Sequence, residues 1–423
     1  MSAARGTVLV SGASVAGLTV AHWLHRYGFA VTVVERARAP RSGGYPIDVR
    51  GTAAEVARRT GILPRLREAD IASRRMTFLE GDGAEVAVVH PQAVAGGVEG
   101  RDVEVARGRL TEALHDTVRD DVELLFADSI DTLAEHEHGV DVTFRGGGRR
   151  TFDVVVGADG LHSHTRALTF GPEEQFHRYL GYCFGIFTVP NTEGLSREVV
   201  MWNAPGRAAA LYATRADEPL HAFLNVAVPE PPLALLRDPA AQHALLADRF
   251  AGDGWRVPGM VAAARESDDL FFDTVSQVRM PRWSSGRVVL TGDAAHAPSF
   301  LTGQGTSLAL VGAYMLARSL ATQPDHTAAF AAYERDTRGF VELNQAQVGR
   351  GDTALFPVTA EDLERRNARL RGLAGPAPRN GPAPRNGSAP REGRPAHTAL
   401  TLPPEPLVRR AVARTVPRGT ALP

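Results

Sequence analysis

The sequence contains no lysine and a single cysteine, Cys183, among its 423 residues. All 47 basic side chains are therefore arginine, and 48 acidic side chains balance them to a net charge of −1. This balance leaves no broad basic face for phosphates, so we expect no nucleic-acid partner. One cysteine excludes an internal disulfide and any paired-cysteine metal or redox site, and we expect no metal. A reducing, cytoplasmic location is the simplest expectation, with Cys183 filling a strand as a small apolar residue.

Long apolar runs are also missing from the sequence. Only a short apolar segment precedes Gly12, which is too little for a secretory signal. No segment approaches the roughly 18 consecutive apolar residues that a membrane-spanning helix needs. We therefore expect neither secretion nor a membrane partner. A chain of 423 residues can instead bury a large core and form two or more lobes.

A glycine-rich turn stands near the start of the sequence, between a predicted strand and a predicted helix. The strand is expected at residues 7–11 and the helix over residues 18–27. A second strand over residues 30–34 is followed by an acidic residue, about 20 residues past the turn, where a carboxylate binds ribose hydroxyls. The candidate nucleotide contacts are Gly12, Ser14, Val15, Ala16, Gly17, Glu35 and Arg36. Ser14 replaces the usual middle glycine, and an ordinary strand-to-helix turn is the alternative interpretation.

A second motif lies far downstream, where Gly292 and Asp293 follow a predicted buried strand at residues 288–290. A carboxylate at a strand end can accept hydrogen bonds from sugar or ribityl hydroxyls. The helix expected over residues 306–320 offers free N–H groups and partial positive charge to an anion such as a reduced flavin. The candidate residues here are Asp293, Pro298, Gly303, Gly305 and Thr306. The alternative for Asp293 is a helix N-cap that binds no ligand.

A third strand end carries Asp159 and Gly160, which follow a predicted buried strand within residues 153–156. Between residues 172 and 280 the pattern changes to short strands rich in aromatic residues, which predicts a mostly antiparallel sheet. We assign this sheet to the substrate. Two ring-bearing side chains that follow this sheet in the sequence are expected to have structural roles. Trp283 is expected to pack in a core, and His296 is expected to be a structural histidine.

The order of these motifs, with Arg107 between Glu35 and Asp159, resembles that of the flavin-dependent aromatic hydroxylases. These are group A flavoprotein monooxygenases of the p-hydroxybenzoate hydroxylase type, and the sequence is similar in particular to the tetracycline-inactivating monooxygenases among them. The likeness spans about residues 6–346. It implies an α/β fold in which a Rossmann-like FAD-binding lobe is joined to a mostly antiparallel β substrate lobe and C-terminal helices.

The resemblance also implies a role for each motif. The glycine turn and Glu35 would hold the adenosine half of FAD, and Arg107 would lie over the pyrophosphate or the ribityl chain. Asp293 would hold the ribityl group, whereas Asp159 is similar to a residue linked to both FAD and the nicotinamide donor. Pro298 would sit beside the flavin ring. For Arg107, the alternative is a solvated surface arginine.

The implied function is that of an FAD-dependent monooxygenase, which uses NAD(P)H and O2 to hydroxylate an aromatic or polyketide-like small molecule through a flavin C4a-hydroperoxide. No second glycine fingerprint precedes another strand-helix unit, so FAD is expected to be resident and NAD(P)H to bind transiently. A flavin-dependent reductase or dehydrogenase on the same fold, and a non-catalytic flavin-binding module, are the alternatives. Hydroxylation, epoxidation and Baeyer–Villiger insertion stay open, as do the choice of NADH or NADPH and the oligomeric state.

The predicted domain organisation is discontinuous. The expected parts are an FAD-binding domain at residues 1–172 and 281–325, with 76–100 as a candidate contribution to the substrate lobe, a substrate-binding domain at 173–280, a connecting helix at 326–350 and a C-terminal extension at 351–423. A Pro- and Arg-rich repeat at residues 375–392 predicts a disordered linker within that extension. The local expectations are a ligand-covering loop at residues 41–51, one helix over residues 53–68, a helix over residues 104–118, and a short helix, docked or loose, near residues 407–414.

Overall fold

The computed structural model describes residues 5–40, 44–95, 102–349, 355–374 and 395–406. Within these residues the strands are β1 (Thr7–Ser11), β2 (Ala30–Glu35), β3 (Pro46–Val49), β4 (Arg75–Leu79), β5 (Glu85–Val89), β6 (Val103–Ala106), β7 (Glu123–Phe126), β8 (Ile130–His136), β9 (Gly139–Phe144), β10 (Arg149–Phe152), β11 (Val154–Gly157), β12 (His177–Val189), β13 (Glu198–Ala204), β14 (Arg207–Ala213), β15 (Leu220–Ala227), β16 (Phe271–Val278), β17 (Ser284–Ser285) and β18 (Val288–Leu290). The α-helices are α1 (Val15–Arg26), α2 (Thr52–Thr60), α3 (Leu63–Glu68), α4 (Pro91–Ala95), α5 (Arg107–Asp116), α6 (His164–Phe170), α7 (Pro239–Arg249), α8 (Val257–Glu266), α9 (Asp293–His296), α10 (Gly305–Thr322), α11 (His326–Gln345) and α12 (Ala360–Leu373).

A six-stranded sheet in the order β17-β18-β11-β1-β2-β7 forms the centre of the first lobe. The strands β18, β11, β1, β2 and β7 run parallel. The central strands β18, β11 and β1 bury their apolar residues on both faces, as is typical of parallel sheets, whereas those of the edge strand β7 are half-buried. Side chains such as Val8 and Val10 pack under the helices α1, α2, α5, α10 and α11. Leu9 points to the other face, where the three-stranded sheet β8–β10 covers it. The α/β fold expected from the sequence is confirmed.

A seven-stranded sheet in the order β16-β12-β15-β14-β13-β4-β5 forms the second lobe. Its neighbours are antiparallel except β13 and β4, so the predicted mostly antiparallel sheet is present, and residues 75–89 contribute two of its strands. One face packs under α7 and α8 and includes Cys183, which is fully buried among apolar side chains. The opposite face carries the aromatic side chains Phe184 and Phe223 toward the first lobe.

Three local predictions are wrong. The single helix expected over residues 53–68 is two helices, because Gly61 ends α2 in the left-handed conformation (φ +87°) and Pro64 stands in the first turn of α3. The loop expected at residues 41–51 contains strand β3, which pairs with β6. The helix expected from residue 104 begins only at Arg107, because Val103 and Val105 alternate with polar residues and form a strand.

The C-terminal part contains a helix that the sequence did not suggest. In α12, the Oγ1 atom of Thr359 accepts a hydrogen bond from the N–H of Asp362 at 3.1 Å, which caps the helix, and Leu370 packs on the second lobe. Residues 395–406 return to the first lobe, where Leu402 is buried. The predicted linker at 375–392 and the predicted helix near 407–414 lie outside the described residues. No helix in the described ranges combines the length and the apolar character needed to cross a membrane.

Candidate functional site

The glycine turn between β1 and α1 is closely packed. Gly12 has φ +104°, and a Cβ atom there would lie 2.5 Å from the carbonyl oxygen of Ala158. A Cβ atom on Gly17 would overlap the carbonyl oxygen of Gly12, so α1 approaches the turn as only a glycine permits. Ser14 precedes α1 without capping it, and its Oγ atom instead accepts a hydrogen bond from Nη2 of Arg107 at 3.1 Å. The departure from the usual glycine therefore links the turn to α5.

Glu35 lies at the end of β2 and holds the same turn. Its carboxylate accepts hydrogen bonds from the backbone N–H groups of Ala13 and Ala37, at 2.8 and 2.9 Å. The neighbouring Arg36 side chain is exposed, whereas Val15 and Ala16 are buried in the first turn of α1. The carboxylate thus stands beside the turn, where the sequence pattern places the ribose-binding acid.

The downstream glycine–aspartate motif packs directly against the glycine turn. Gly292 has φ +63°, and a Cβ atom there would lie 2.7 Å from Cβ of Ala16. Asp293 is the first residue of α9 rather than its N-cap, and its carboxylate accepts no hydrogen bond from the described residues. Burial raises the pKa of Asp293, while the charge of Arg107 opposes that shift. The carboxylate is thus a partly buried acceptor near a cation, and the N-cap alternative does not describe it because Gly292 is the N-cap.

Arg107 lies between the two motifs. It is half-buried, and its backbone N–H donates to the carbonyl oxygen of Tyr45 at 3.2 Å. Burial raises the pKa of the Tyr45 hydroxyl, and the charges of Arg107 and Asp293 both reach that hydroxyl. Arg109 is exposed and pairs with Glu112, so the solvated-arginine alternative fits Arg109 and not Arg107. Ser14, Tyr45, Arg107 and Asp293 therefore share one cleft.

Asp159 adopts a local role that the sequence did not suggest. One carboxylate oxygen accepts a short hydrogen bond from the Ser163 hydroxyl. The other accepts hydrogen bonds from the backbone N–H and the hydroxyl of Thr165, each at 2.9 Å. Both oxygens hold the turn that follows β11, in which Gly160 has φ +86°. The Asp159 carboxylate is occupied by these hydrogen bonds within its own turn. Only the backbone of Ala158 and Asp159 therefore packs against Gly12.

Two buried glutamines donate hydrogen bonds to the backbone of the segment that leads to α10. Nε2 of Gln277 donates to the carbonyl oxygen of Pro298 at 3.0 Å, and Nε2 of Gln345 donates to the carbonyl oxygen of Ala297 at 3.2 Å. Sequence reasoning missed both glutamines, since an isolated polar residue in a strand or helix carries no motif. The chain then turns at Gly303, with φ +63°, and α10 begins at Gly305.

The start of α10 carries polar groups that have no internal partner among the described residues. The first N–H groups of a helix have no helical acceptor, and no acidic residue stands in the first turn of α10. Within the described residues, Oε1 of Gln304 and the hydroxyl of Ser307 are buried without a hydrogen-bond partner. The free N–H groups at Gly305 and Thr306 suit an anionic ligand atom, whereas the Gln304 oxygen and the Ser307 hydroxyl are enclosed by the protein.

His296 and Trp283 pack against each other away from this cleft. Burial lowers the pKa of His296 to about 3, so the ring is neutral, and its Nε2 atom lies 3.3 Å from the Tyr333 hydroxyl. The Trp283 ring centroid lies 4.9 Å from that of His296. This geometry matches the structural role expected for both side chains.

A charged network joins the turn after β11 to the second lobe. Nδ1 of His162 lies 2.7 Å from a carboxylate oxygen of Glu173, and Nε2 lies 3.0 Å from the Asp273 carboxylate on β16. The buried Arg166 donates to the other oxygen of Glu173 at 2.9 Å. His162, Glu173 and His177 are close enough to one another to hold a metal ion. The cations of the network, however, already face the carboxylates of Glu173 and Asp273. Sequence reasoning missed this network.

The network gives the fold a pH dependence. Hydrogen bonding to Asp273, and then to Glu173, raises the pKa of His162 from 6.5 to about 9. The stabilisation of the folded state by protonated His162 is therefore complete below the unfolded-state pKa of about 6.5, and it is lost as pH rises through about 9. We expect His162→Gln to lower the unfolding temperature by a few degrees near pH 6 and by much less near pH 9.5. The control is His243→Gln on α7; an equal loss for His162→Gln at both pH values would contradict this expectation.

The cleft fits FAD. Gly12 and Gly292 let the ends of their strands pack closely against Ala158 and Ala16, and Asp293 supplies a partly buried acceptor without a partner among the described residues. Arg107 adds a cation beside the turn, and α10 directs its free N–H groups toward an anion. Three segments that are distant in sequence thus lie together, and their groups suit an anionic dinucleotide.

Comparisons with known proteins agree with this site. A family model described as an FAD binding domain matches residues 5–226 and 258–344. An uncharacterised protein of Mycobacterium tuberculosis (strain ATCC 25618 / H37Rv) is 43% identical over 361 residues, which cover 85% of this chain and 97% of that protein. A flavin-dependent monooxygenase from an unknown prokaryotic organism is 35% identical over 369 residues, covering 86% and 95% of the two chains.

The structural comparison extends over nearly the whole chain. The crystal structure of tetracycline destructase Tet(55) matches with a TM-score of 0.77 and 32% identity, covering 94% of this chain and 98% of that one. The residues matched by the family model include all three motifs and most of both lobes. The chain therefore belongs to the family that this FAD binding domain defines, and it is an FAD-dependent monooxygenase similar to the aromatic hydroxylases.

Proposed function

We propose that this enzyme uses NAD(P)H and O2 to hydroxylate an aromatic or polyketide-like small molecule. The observation that carries the proposal is the convergence of Ser14, Arg107 and Asp293, from three distant segments, at one cleft that faces an aromatic wall of the second lobe. When bound, FAD takes up a hydride from the nicotinamide and activates O2 for transfer of one oxygen atom to the substrate. The remaining tasks belong to the protein.

The first task is to hold the cofactor. The glycine turn, from Gly12 to Gly17, would receive the pyrophosphate, and Glu35 would bond the ribose once its hydroxyls replace one backbone donor. Arg107 would neutralise phosphate charge, and Asp293 would accept hydrogen bonds from the ribityl chain. We propose that residues 1–172 and 281–325 form the FAD-binding domain and residues 173–280 the substrate-binding domain.

The second task is to stabilise charge and exclude water at the ring. The N-terminus of α10, at Gly305 and Thr306, would stabilise the negative charge that develops on reduction. Pro298 is buried and offers no N–H group, so it would shield the ring edge from water. Because Gln277 fixes the Pro298 carbonyl, this wall is pre-organised before any ligand binds.

The third task is to receive a flat ligand. Tyr45 packs against Phe223 at 6.1 Å between ring centroids, and Phe300 packs against Phe184 at 4.9 Å. These rings come from both lobes and lie between the Pro298 segment and the sheet of the second lobe. An aromatic or fused-ring substrate suits such walls, and one similar protein is named for its action on tetracycline.

The experiment is a turnover assay on the FAD-loaded enzyme with a panel of phenols and fused-ring polyketides. We expect some of these compounds to accelerate NADPH or NADH oxidation and to gain one atom from 18O2. Accelerated oxidation without incorporation of 18O, or full turnover under anaerobic conditions, would contradict the proposal and indicate a reductase. The enzyme without added compound serves as the control for uncoupled oxidation.

A further inference from the structure

Three side chains that can bind a metal converge where the first lobe meets the sheet of the second. His162 follows β11, Glu173 follows α6, and His177 is the first residue of β12. Nδ1 of His162 lies 2.7 Å from Oε1 of Glu173, and Nδ1 of His177 lies 3.7 Å from the same oxygen. The three ligand atoms all lie within 4.8 Å of one another. Two nitrogens and one oxygen therefore face a single small space.

The outer nitrogen of each imidazole is already engaged as a donor. Nε2 of His177 lies 3.2 Å from the carbonyl oxygen of Leu161, which can only accept a hydrogen bond. Nε2 of His162 lies 3.0 Å from the carboxylate of Asp273, which is also an acceptor. Each neutral ring therefore carries its proton on Nε2, and the lone pair on each Nδ1 atom is left for the space beside Glu173.

The contact between His177 and Glu173 leaves both of its atoms unsatisfied. In the neutral ring Nδ1 is an acceptor, and the carboxylate oxygen that it faces is an acceptor as well. Their separation of 3.7 Å is too long for a hydrogen bond. Two acceptors that face each other repel, and a cation between them turns this repulsion into attraction.

Each of the three side chains is also held from outside. The buried Arg166 donates to the other oxygen of Glu173 at 2.9 Å and to the Leu161 carbonyl at 2.8 Å. Asp273 is 5% exposed, and its Oδ1 atom accepts a hydrogen bond from the N–H of Thr274 at 2.7 Å. Histidines that bind a metal commonly donate their second N–H to a carboxylate or a backbone carbonyl, and both arrangements are present here.

We propose that His162, Glu173 and His177 bind one Zn²⁺ ion through Nδ1, Oε1 and Nδ1, with a water molecule at the fourth position. Two imidazoles and a carboxylate suit Zn²⁺, whereas Mg²⁺ and Ca²⁺ prefer oxygen ligands alone. A tetrahedral ion with bonds of about 2.1 Å separates its ligand atoms by about 3.4 Å, which lies between the two distances to Glu173. The expectation of no metal rested on the single cysteine and does not bear on such ligands.

The surrounding charges accommodate the ion. As Zn²⁺ binds, Nδ1 of His162 releases the proton that it donates to Glu173, and this proton passes to solvent. The charges of Zn²⁺ and Arg166 are then offset by three carboxylates, those of Glu173, Asp273 and Asp159. The ion joins the turn after β11 to β12 and stabilises the contact between the lobes. The pH dependence expected for His162 therefore applies to the protein without Zn²⁺ and is measured in EDTA.

The test is calorimetric titration of ZnCl2 into the FAD-loaded full chain after treatment with EDTA and dialysis. We expect one Zn²⁺ per chain, with a dissociation constant of about 10 μM or lower, and a higher unfolding temperature that EDTA reverses. His177→Gln should raise the dissociation constant at least about tenfold, because it removes one of three ligands. Asp273→Asn should raise it about tenfold through the orientation of His162. MgCl2 should neither bind nor stabilise.

The matched control is His136→Gln, because His136 is as exposed as His162 and its Nε2 atom lies 3.6 Å from the Asp141 carboxylate. It should bind Zn²⁺ as the wild type does. No binding by the wild type, unchanged affinity in His177→Gln, or an equal loss in His136→Gln would overturn the site.

A second measurement covers a His177→Gln protein that does not fold. Anomalous scattering at the zinc edge, from a wild-type crystal soaked in ZnCl2, should give a peak between the three side chains. A peak only at other positions, or none, would overturn the site. These readouts need no turnover, so they are independent of the proposed monooxygenase reaction.

Discussion

The variant Gly17→Ala should purify with less than about a tenth of the wild-type FAD content. A Cβ atom at residue 17 would overlap the carbonyl oxygen of Gly12, which is backbone and has no rotamer to move away. Helix α1 would therefore have to shift from the turn, and the N–H groups that we propose bind the pyrophosphate would shift with it. Overpacking of this kind costs about 1–3 kcal/mol, and each tenfold loss of affinity corresponds to about 1.4 kcal/mol.

The measurement is the ratio of flavin to protein absorbance after purification, together with the unfolding temperature. Gly259→Ala is the matched control, because Gly259 lies in α8 and a Cβ atom there meets nothing within 4 Å. The control should keep its full FAD content. A Gly17→Ala protein with the wild-type flavin ratio would show that the turn does not contact the cofactor.

Asp293→Ala should raise the dissociation constant of FAD by roughly tenfold to a hundredfold. The carboxylate is partly buried, is influenced by the charge of Arg107 and accepts no hydrogen bond from the described residues, so FAD would supply donors to it. Hydrogen bonds to a charged group contribute about 1.5–3 kcal/mol, which gives this range. The dissociation constant is measured by titrating the apoprotein with FAD and following the quenching of flavin fluorescence.

The same substitution should not destabilise the apoprotein. Burial raises the pKa of Asp293, so its ionised form opposes folding at neutral pH, and stability falls as pH rises through the raised pKa. Removal of the carboxylate should thus leave the unfolding temperature of the apoprotein equal or higher. Asp336→Ala, on the exposed surface of α11, is the control for FAD affinity. Loss of FAD together with unfolding, or unchanged affinity, would contradict the ribityl assignment.

The first lobe could be predicted from the sequence because its strands are short apolar runs that end at glycine or a carboxylate. Val154–Gly157 and Val288–Leu290 are buried on both faces, and such runs are recognisable without any partner. The convergence of Gly12, Asp159 and Gly292 follows from the parallel order of their strands. The prediction of one helix over residues 104–118 was wrong because a strand of four residues leads directly into the helix. So short a strand shows too little periodicity to be recognised.

The long-range polar contacts could not be predicted. His162 meets Asp273 across 111 residues, and Arg366 meets Asn203 across 163 residues, so no local pattern connects them. The residues that flank Asn225 across the sheet, from Phe184 to Asn203, depend on the pairing register of the four strands β12, β15, β14 and β13. Register is fixed by packing of the whole sheet, and a change of one residue would turn Asn225 to the other face.

The hydrogen bond between Ser14 and Arg107 has a consequence for how such chains are found. Its partners stand 93 residues apart, and the serine occupies the position where the usual fingerprint has its middle glycine. A sequence search that scores each position of the fingerprint independently counts this serine as a mismatch. A search that scores serine and the distant arginine as a coupled pair would retrieve chains of this kind that a glycine-only pattern discards.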